Sequence, residues 1–99
     1  MASSWSITIT EHTAGAITFT PDIPGASAGQ PLGVNAGDNV TWNNRTNNQL
    51  ALQSITPAGV YLTDPIPTGS ASNPIFNVSA SVTYSCVTPS TPQHSIVVV

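Results

Sequence analysis

Charge is what this sequence has least of. Only 5% of its 99 residues are Asp, Glu, Lys or Arg, against about 25% in an average soluble protein. Lysine is absent, Arg45 is the single basic residue, and the acids are Glu11, Asp22, Asp38 and Asp64, for a formal net charge of −3. Nucleic-acid binding draws its affinity from several Lys or Arg that displace counterions from phosphates, so the composition argues against a nucleic-acid partner. It argues against an anionic membrane surface on the same ground. The one cysteine, Cys86, permits no internal disulfide. No apolar run approaches the roughly 20 residues of a membrane-spanning helix, and Met1-Ala2-Ser3-Ser4 lacks the basic and apolar regions of a signal peptide. Acid–base catalysis is poorly equipped. The only neighbouring His–acid pair is Glu11-His12, and adjacent strand positions point to opposite faces. With no GxSxG, HExxH, CxxC or phosphate loop either, the sequence reads as a non-enzyme.

Hydroxyls and amides take the place of charge. Thirteen Thr, twelve Ser and eight Asn accompany nine Pro and seven Gly, while 39% of the residues are hydrophobic. That hydrophobic share, with low net charge, is the composition of a folded chain. The length suits one domain over residues 1–99, able to bury a core without staples. Asn39, Asn44 and Asn77 each begin a glycosylation sequon, but a chain this rich in Ser and Thr produces roughly two by chance.

Short alternating segments separated by turn clusters predict an all-β sandwich or barrel with little or no helix. Trp5, Ile7 and Ile9 alternate with polar residues, a turn at 11–15 follows, and Ala16-Ile17-Thr18-Phe19-Thr20 completes a hairpin. A Pro- and Gly-rich stretch from Pro21 to Pro31 interrupts the pattern before Leu32-Gly33-Val34. Ala36-Gly37-Asp38 predicts a tight turn into a strand with Val40 and Trp42 facing the core. Leu50 and Leu52 follow at period two, Val60-Tyr61-Leu62 predicts a short strand, and prolines suit the 63–73 region to loop or edge positions. Phe76, Val78, Val82, Tyr84, Cys86, Ile96 and Val98 supply further inward positions.

Three segments in order resemble the cupredoxin family. Ala36-Gly37-Asp38-Asn39-Val40-Thr41-Trp42-Asn43-Asn44-Arg45 is similar to that family's AGDxVTWxNR turn and strand. Pro67-Thr68-Gly69-Ser70-Ala71-Ser72 resembles the loop before its last strand pair, and Val82-Thr83-Tyr84-Ser85-Cys86 with Ile96-Val97-Val98-Val99 resembles its closing YxC and terminal strands. The resemblance implies a cupredoxin-like Greek-key β-sandwich of about seven to nine strands, with Gly37, Trp42, Arg45 and Tyr84 as structural anchors. It implies Arg45 orienting a loop, and an extracellular or periplasmic setting.

The family's copper is held by two imidazoles, one thiolate and a weak axial thioether, a set that suits both copper oxidation states. Carried onto this chain, the thiolate is Cys86, the first imidazole position falls on Leu50, and the second imidazole and thioether positions fall on Pro89 and Pro92. Neither Leu nor Pro has a side-chain lone pair to give. The resemblance therefore implies a degenerate copper site, no resident cofactor, and a structural or protein-binding module whose partner docks at the former copper end. A second register places His94 near that end, and His12 joins it if the turn at 11–15 lies there. Cys86, His94 and His12 then form an alternative set able to take Cu(I) or Zn²⁺. Left out of a metal site, His94 and His12 are expected exposed, Cys86 buried and Trp42 in the core.

Overall fold

Alternation becomes two faces in a computed structural model that describes residues 3–13, 16–56, 58–73, 75–86 and 93–99, with the side chains at 12, 13 and 16 outside that description. On β1 (Ser4–Thr13) Ile7 and Ile9 are buried between partly exposed Ser6, Thr8 and Thr10. β2 (Ala16–Pro21) pairs antiparallel with it, turning Ile17 and Phe19 to the same interior. β4 (Asn39–Arg45) runs parallel to β1 on the other side, with Trp42 level with Ile7 and Asn44 level with Ile9. β6 (Phe76–Asn77) closes this sheet, whose order is β2-β1-β4-β6.

The second sheet has the order β3-β8-β7-β5. Its members are β3 (Leu32–Val34), β5 (Leu52–Thr56), β7 (Val82–Cys86) and β8 (His94–Val98). β3 pairs parallel with β8, and β7 pairs antiparallel with both β8 and β5. Leu32, Val34, Leu52, Val82, Tyr84, Cys86 and Ile96 face the first sheet, so both sheets share one core. Each aliphatic side chain buried there contributes about 1.5–3 kcal/mol relative to exposure. None of the described elements is a helix.

Two neighbouring residues, Gly37 and Asp38, fix the turn before β4. Gly37 has φ of 95°, a backbone conformation that side chains with a Cβ resist, and its N–H donates to the Val78 carbonyl at 2.7 Å. Asp38, only 2% exposed, accepts from the Ser3 N–H on Oδ1 and from the Trp5 Nε1–H and Asn35 N–H on Oδ2, all at 3.0 Å. These bonds, Ser3 first, then Trp5 and Asn35, hold its carboxyl below the usual carboxylate range, with burial opposing them. The N-terminal strand is thus fastened to the turn before β4 through one carboxylate.

The sequence predicts a short strand at 60–62, and the structure has none. Val60 donates its N–H to the Ser54 hydroxyl at 2.9 Å instead of to a strand neighbour, and Pro65 and Pro67 offer no donor to continue a ladder. Leu62 is still buried, as is Ile66, which exchanges backbone bonds with Leu50. Among the described residues every buried side-chain nitrogen and oxygen has a hydrogen-bond partner.

Candidate functional site

Strand ends gather at one end of the sandwich. Thr10, three residues before the end of β1, is level with Arg45 at the end of β4, and Cys86 at the end of β7 is level with Leu52 at the start of β5. The segment from Thr46 to Ala51 joins the two sheets there. His94 opens β8 directly opposite Tyr84, two residues along β7 from Cys86.

The β4–β5 segment takes its shape from Asn44. This side chain is 1% exposed. Its amide Nδ2 donates to the Asn48 carbonyl at 2.8 Å and the Ile66 carbonyl at 2.9 Å. Its Oδ1 accepts from the Thr46 N–H at 2.9 Å and the Thr46 hydroxyl at 2.7 Å. Both donors and both acceptor positions are satisfied, and the sequon at Asn44 is closed by the same burial. Arg45 beside it is exposed, and the Asn47 N–H donates to Glu11 Oε1 on β1 at 3.4 Å. Leu50 is fully buried, its backbone bridged to Ile66.

His94 departs from the expected exposure. It is 2% exposed, because the strand begins at this residue and its side chain shares the inward face with Ile96. An imidazole buried without partners would cost several kcal/mol, about the worth of burying one or two aliphatic side chains. Here both nitrogens are matched. Nε2 lies 2.7 Å from the Gln30 carbonyl, which can only accept, so Nε2 carries the proton. Nδ1 is then an acceptor, and the Tyr84 hydroxyl donates to it at 2.5 Å. The Tyr84 oxygen in turn accepts the Trp42 Nε1–H at 2.8 Å. A single directional chain therefore runs from Trp42 on one sheet through Tyr84 and His94 on the other to the loop before β3.

Aromatic packing encloses this chain. Tyr84 meets Phe19, Trp42 and His94 edge to face at centroid distances of 5.1, 5.2 and 5.3 Å, and His94 stacks on Phe19 at 5.5 Å. Burial lowers the His94 pKa below 6.5, partly offset by the bond to the Gln30 carbonyl. Burial raises the Tyr84 hydroxyl well above 10, opposed by the Trp42 bond. Both groups are neutral at neutral pH. A cleft of about 280 Å³ opens beside them, with Phe19, Gly29, Gln93 and His94 in its wall.

This architecture is similar to solved copper oxidases. The chain superposes on the McoA multicopper oxidase of the hyperthermophile Aquifex aeolicus with a TM-score of 0.59 at 12% identity, and on its 2F4 variant with a TM-score of 0.62 at 11% identity. The fold is cupredoxin-like. Each match takes in 98% of this chain and 26% of the oxidase chain, so this chain spans about a quarter of the length of those neighbours. No family model and no curated protein matches the sequence.

Within the cupredoxin-like frame the sequence-derived site residues separate. Cys86 is buried on the inward face of β7, as expected, and Trp42 and Tyr84 are in the core. Gly37 makes the turn into β4. Cys86 and His94 lie on neighbouring strands but at different rungs, with the His94 nitrogens turned to Tyr84 and Gln30. The backbone of His12 lies near the end of β1, and its side chain is outside the described residues, as are Pro89 and Pro92 altogether. Among the described residues no three His, Cys, Asp or Glu come together. Sequence reasoning missed Asn44 and Asp38 as organisers; a buried-side Asn at the third inward position of the VTWxN strand was the available signal for the first.

Proposed function

We propose that this chain is a non-catalytic cupredoxin-like module, used for structure or for holding a partner protein, with a degenerate copper site and no resident copper. The observation that carries the proposal is the engagement of both His94 nitrogens inside the core. Turning either toward a metal breaks a buried bond and leaves Tyr84 or Gln30 without its partner, at about 1–3 kcal/mol each. Leu50, which holds the first imidazole position of the resemblance, is packed at 0% exposure and has no lone pair. Pro89 and Pro92 in the sequence offer no donor either. The span of the likeness, one quarter of an oxidase chain, supports the module reading, and the end where Cys86 and the 46–51 segment meet is the side assigned to a partner protein. Four acids and one Arg give that end little means of electrostatic steering.

The competing proposal is a metal site built from Cys86, His94 and His12. Titration with Cu(I), Cu(II) and Zn²⁺ separates the two. The module reading expects no metal retained after gel filtration, no thiolate charge-transfer band and an unchanged melting temperature. One equivalent of metal that stays bound, stabilises the fold and is released by Cys86→Ser overturns it.

A further inference from the structure

The Trp42–Tyr84–His94 chain holds more chemistry than packing requires. A phenol gives up an electron readily only when its proton has somewhere to go, because the radical cation left otherwise is a very strong acid. In this core the acceptor is already in line: His94 Nδ1 lies 2.5 Å from the Tyr84 oxygen. From this geometry we infer that Tyr84 and His94 form a metal-free, proton-coupled one-electron redox site.

The step balances within the pair. A one-electron outer-sphere oxidant removes an electron from the Tyr84 ring, the Tyr84 O–H bond breaks, and the proton forms a new bond to His94 Nδ1. The products are a neutral phenoxyl radical, an imidazolium and the reduced oxidant. Return of one electron from any one-electron donor sends the proton back to oxygen. Each flanking group favours the oxidised state. The Trp42 Nε1–H continues to donate to the phenoxyl oxygen, and the Gln30 carbonyl accepts from Nε2–H of the imidazolium, a charge-assisted bond stronger than the neutral one. Tyr84, Trp42, Phe19 and His94 are all 0–2% exposed, which keeps water and other radicals away. Phe19 and His94, whose rings lie 5.1 and 5.3 Å from that of Tyr84 between centroids, also line the cleft, so an oxidant docked there has one side chain between it and Tyr84. The site is independent of the module reading, since it calls on no metal.

Only one other tyrosine exists, the exposed Tyr61, whose hydroxyl bonds to Asp64. The test is therefore run in a Tyr61→Phe background with photogenerated ruthenium(III) tris-bipyridine as oxidant, followed by transient absorption and electron paramagnetic resonance. The expected result is a phenoxyl signal whose formation slows in deuterated water and whose rate is level from neutral to mildly alkaline pH, because the proton never enters solvent. His94→Gln still offers bonds to Tyr84 and Gln30 but takes no proton, and is expected to cut the phenoxyl yield by about tenfold or more. A folded Tyr61→Phe protein that yields only tryptophan radicals overturns the inference, even if His94→Gln fails to fold. So does a phenoxyl that forms at the same rate in deuterated water, or one that His94→Gln leaves unchanged.

Discussion

Trp42 and Tyr84 sit on opposite sheets, and the indole Nε1–H of one donates to the hydroxyl oxygen of the other at 2.8 Å with the rings edge to face. The contact is a polar tie through the middle of an apolar core. Its worth lies in what each partner becomes when the other is removed, since a lone buried donor or acceptor costs more than a paired one returns.

Tyr84→Phe keeps the ring and removes the hydroxyl, so both the Trp42 Nε1–H and His94 Nδ1 lose their partner. At about 1–3 kcal/mol for each of the two orphaned groups, the expected loss is about 2–6 kcal/mol. Urea unfolding should show a lower midpoint at unchanged slope. Trp42→Phe in the same background should add less than it costs alone, because the interaction it would remove is already gone. Strict additivity would count against the tie.

Stability should fall with acid through His94. Above pH 6.5 the residue is neutral in both folded and unfolded chains. Below it the unfolded chain takes up a proton that the folded one, with its lowered pKa, does not. The loss therefore begins near pH 6.5, grows as pH falls, and is complete once the folded value is passed. Unfolding midpoints measured across this window should slope in the wild type and flatten in His94→Gln. An equal slope in both would place the titration elsewhere.

A second acid limb belongs to Asp38. Its folded pKa lies below the ordinary 3.8, so its contribution is present above that value and is lost as pH falls through the folded one. Asp38→Asn keeps the shape and removes the charge. It should lower the melting temperature at neutral pH, weaken amide protection at Ser3 and Asn35, and lose the wild type's extra decline at strongly acid pH.

Asn44→Ala strips four hydrogen bonds from the segment between the sheets. The Thr46 N–H loses its partner, while the Ile66 carbonyl keeps the Leu50 N–H and the Asn48 carbonyl keeps the Thr46 hydroxyl, for an expected cost of about 2–4 kcal/mol from one orphaned donor and the bonds cut. Hydrogen exchange should quicken first across 46–49 while β1 and β8 stay protected. A uniform loss of protection would show instead that Asn44 supports the whole fold and not this segment alone.

The strands were legible because their signal is local. Ile7, Ile9, Val40 and Trp42 declare a face by alternation alone, and Gly37-Asp38 declares its turn by chemistry. The burial of His94 was not legible, because the groups that make it tolerable come from elsewhere: the Gln30 carbonyl is 64 residues away in sequence and the Tyr84 hydroxyl ten. Beside Ser95 and Gln93, a His reads as surface. Asn44 was hidden in the same way, its partner Ile66 lying 22 residues on, so a sequon was easier to see than a buried amide. The strand expected at 60–62 failed for the opposite reason. Val60, Tyr61 and Leu62 have strand-forming side chains, but the Val60 N–H has gone to the Ser54 hydroxyl. Of the metal set, residue types were readable, while the rung each occupies depends on the β7–β8 register.

The two parallel pairings set a timetable for the chain as it is made. β1 is made some 35 residues before the β4 it pairs with, and β3 waits for β8. Neither sheet can be finished by local hairpins, and the second cannot close until His94–Val98 has been synthesised. The β1 edge therefore stays open until residue 45 is made and the β3 edge until residue 98, and with no lysine to guard them the hazard during translation is pairing with a neighbouring nascent copy.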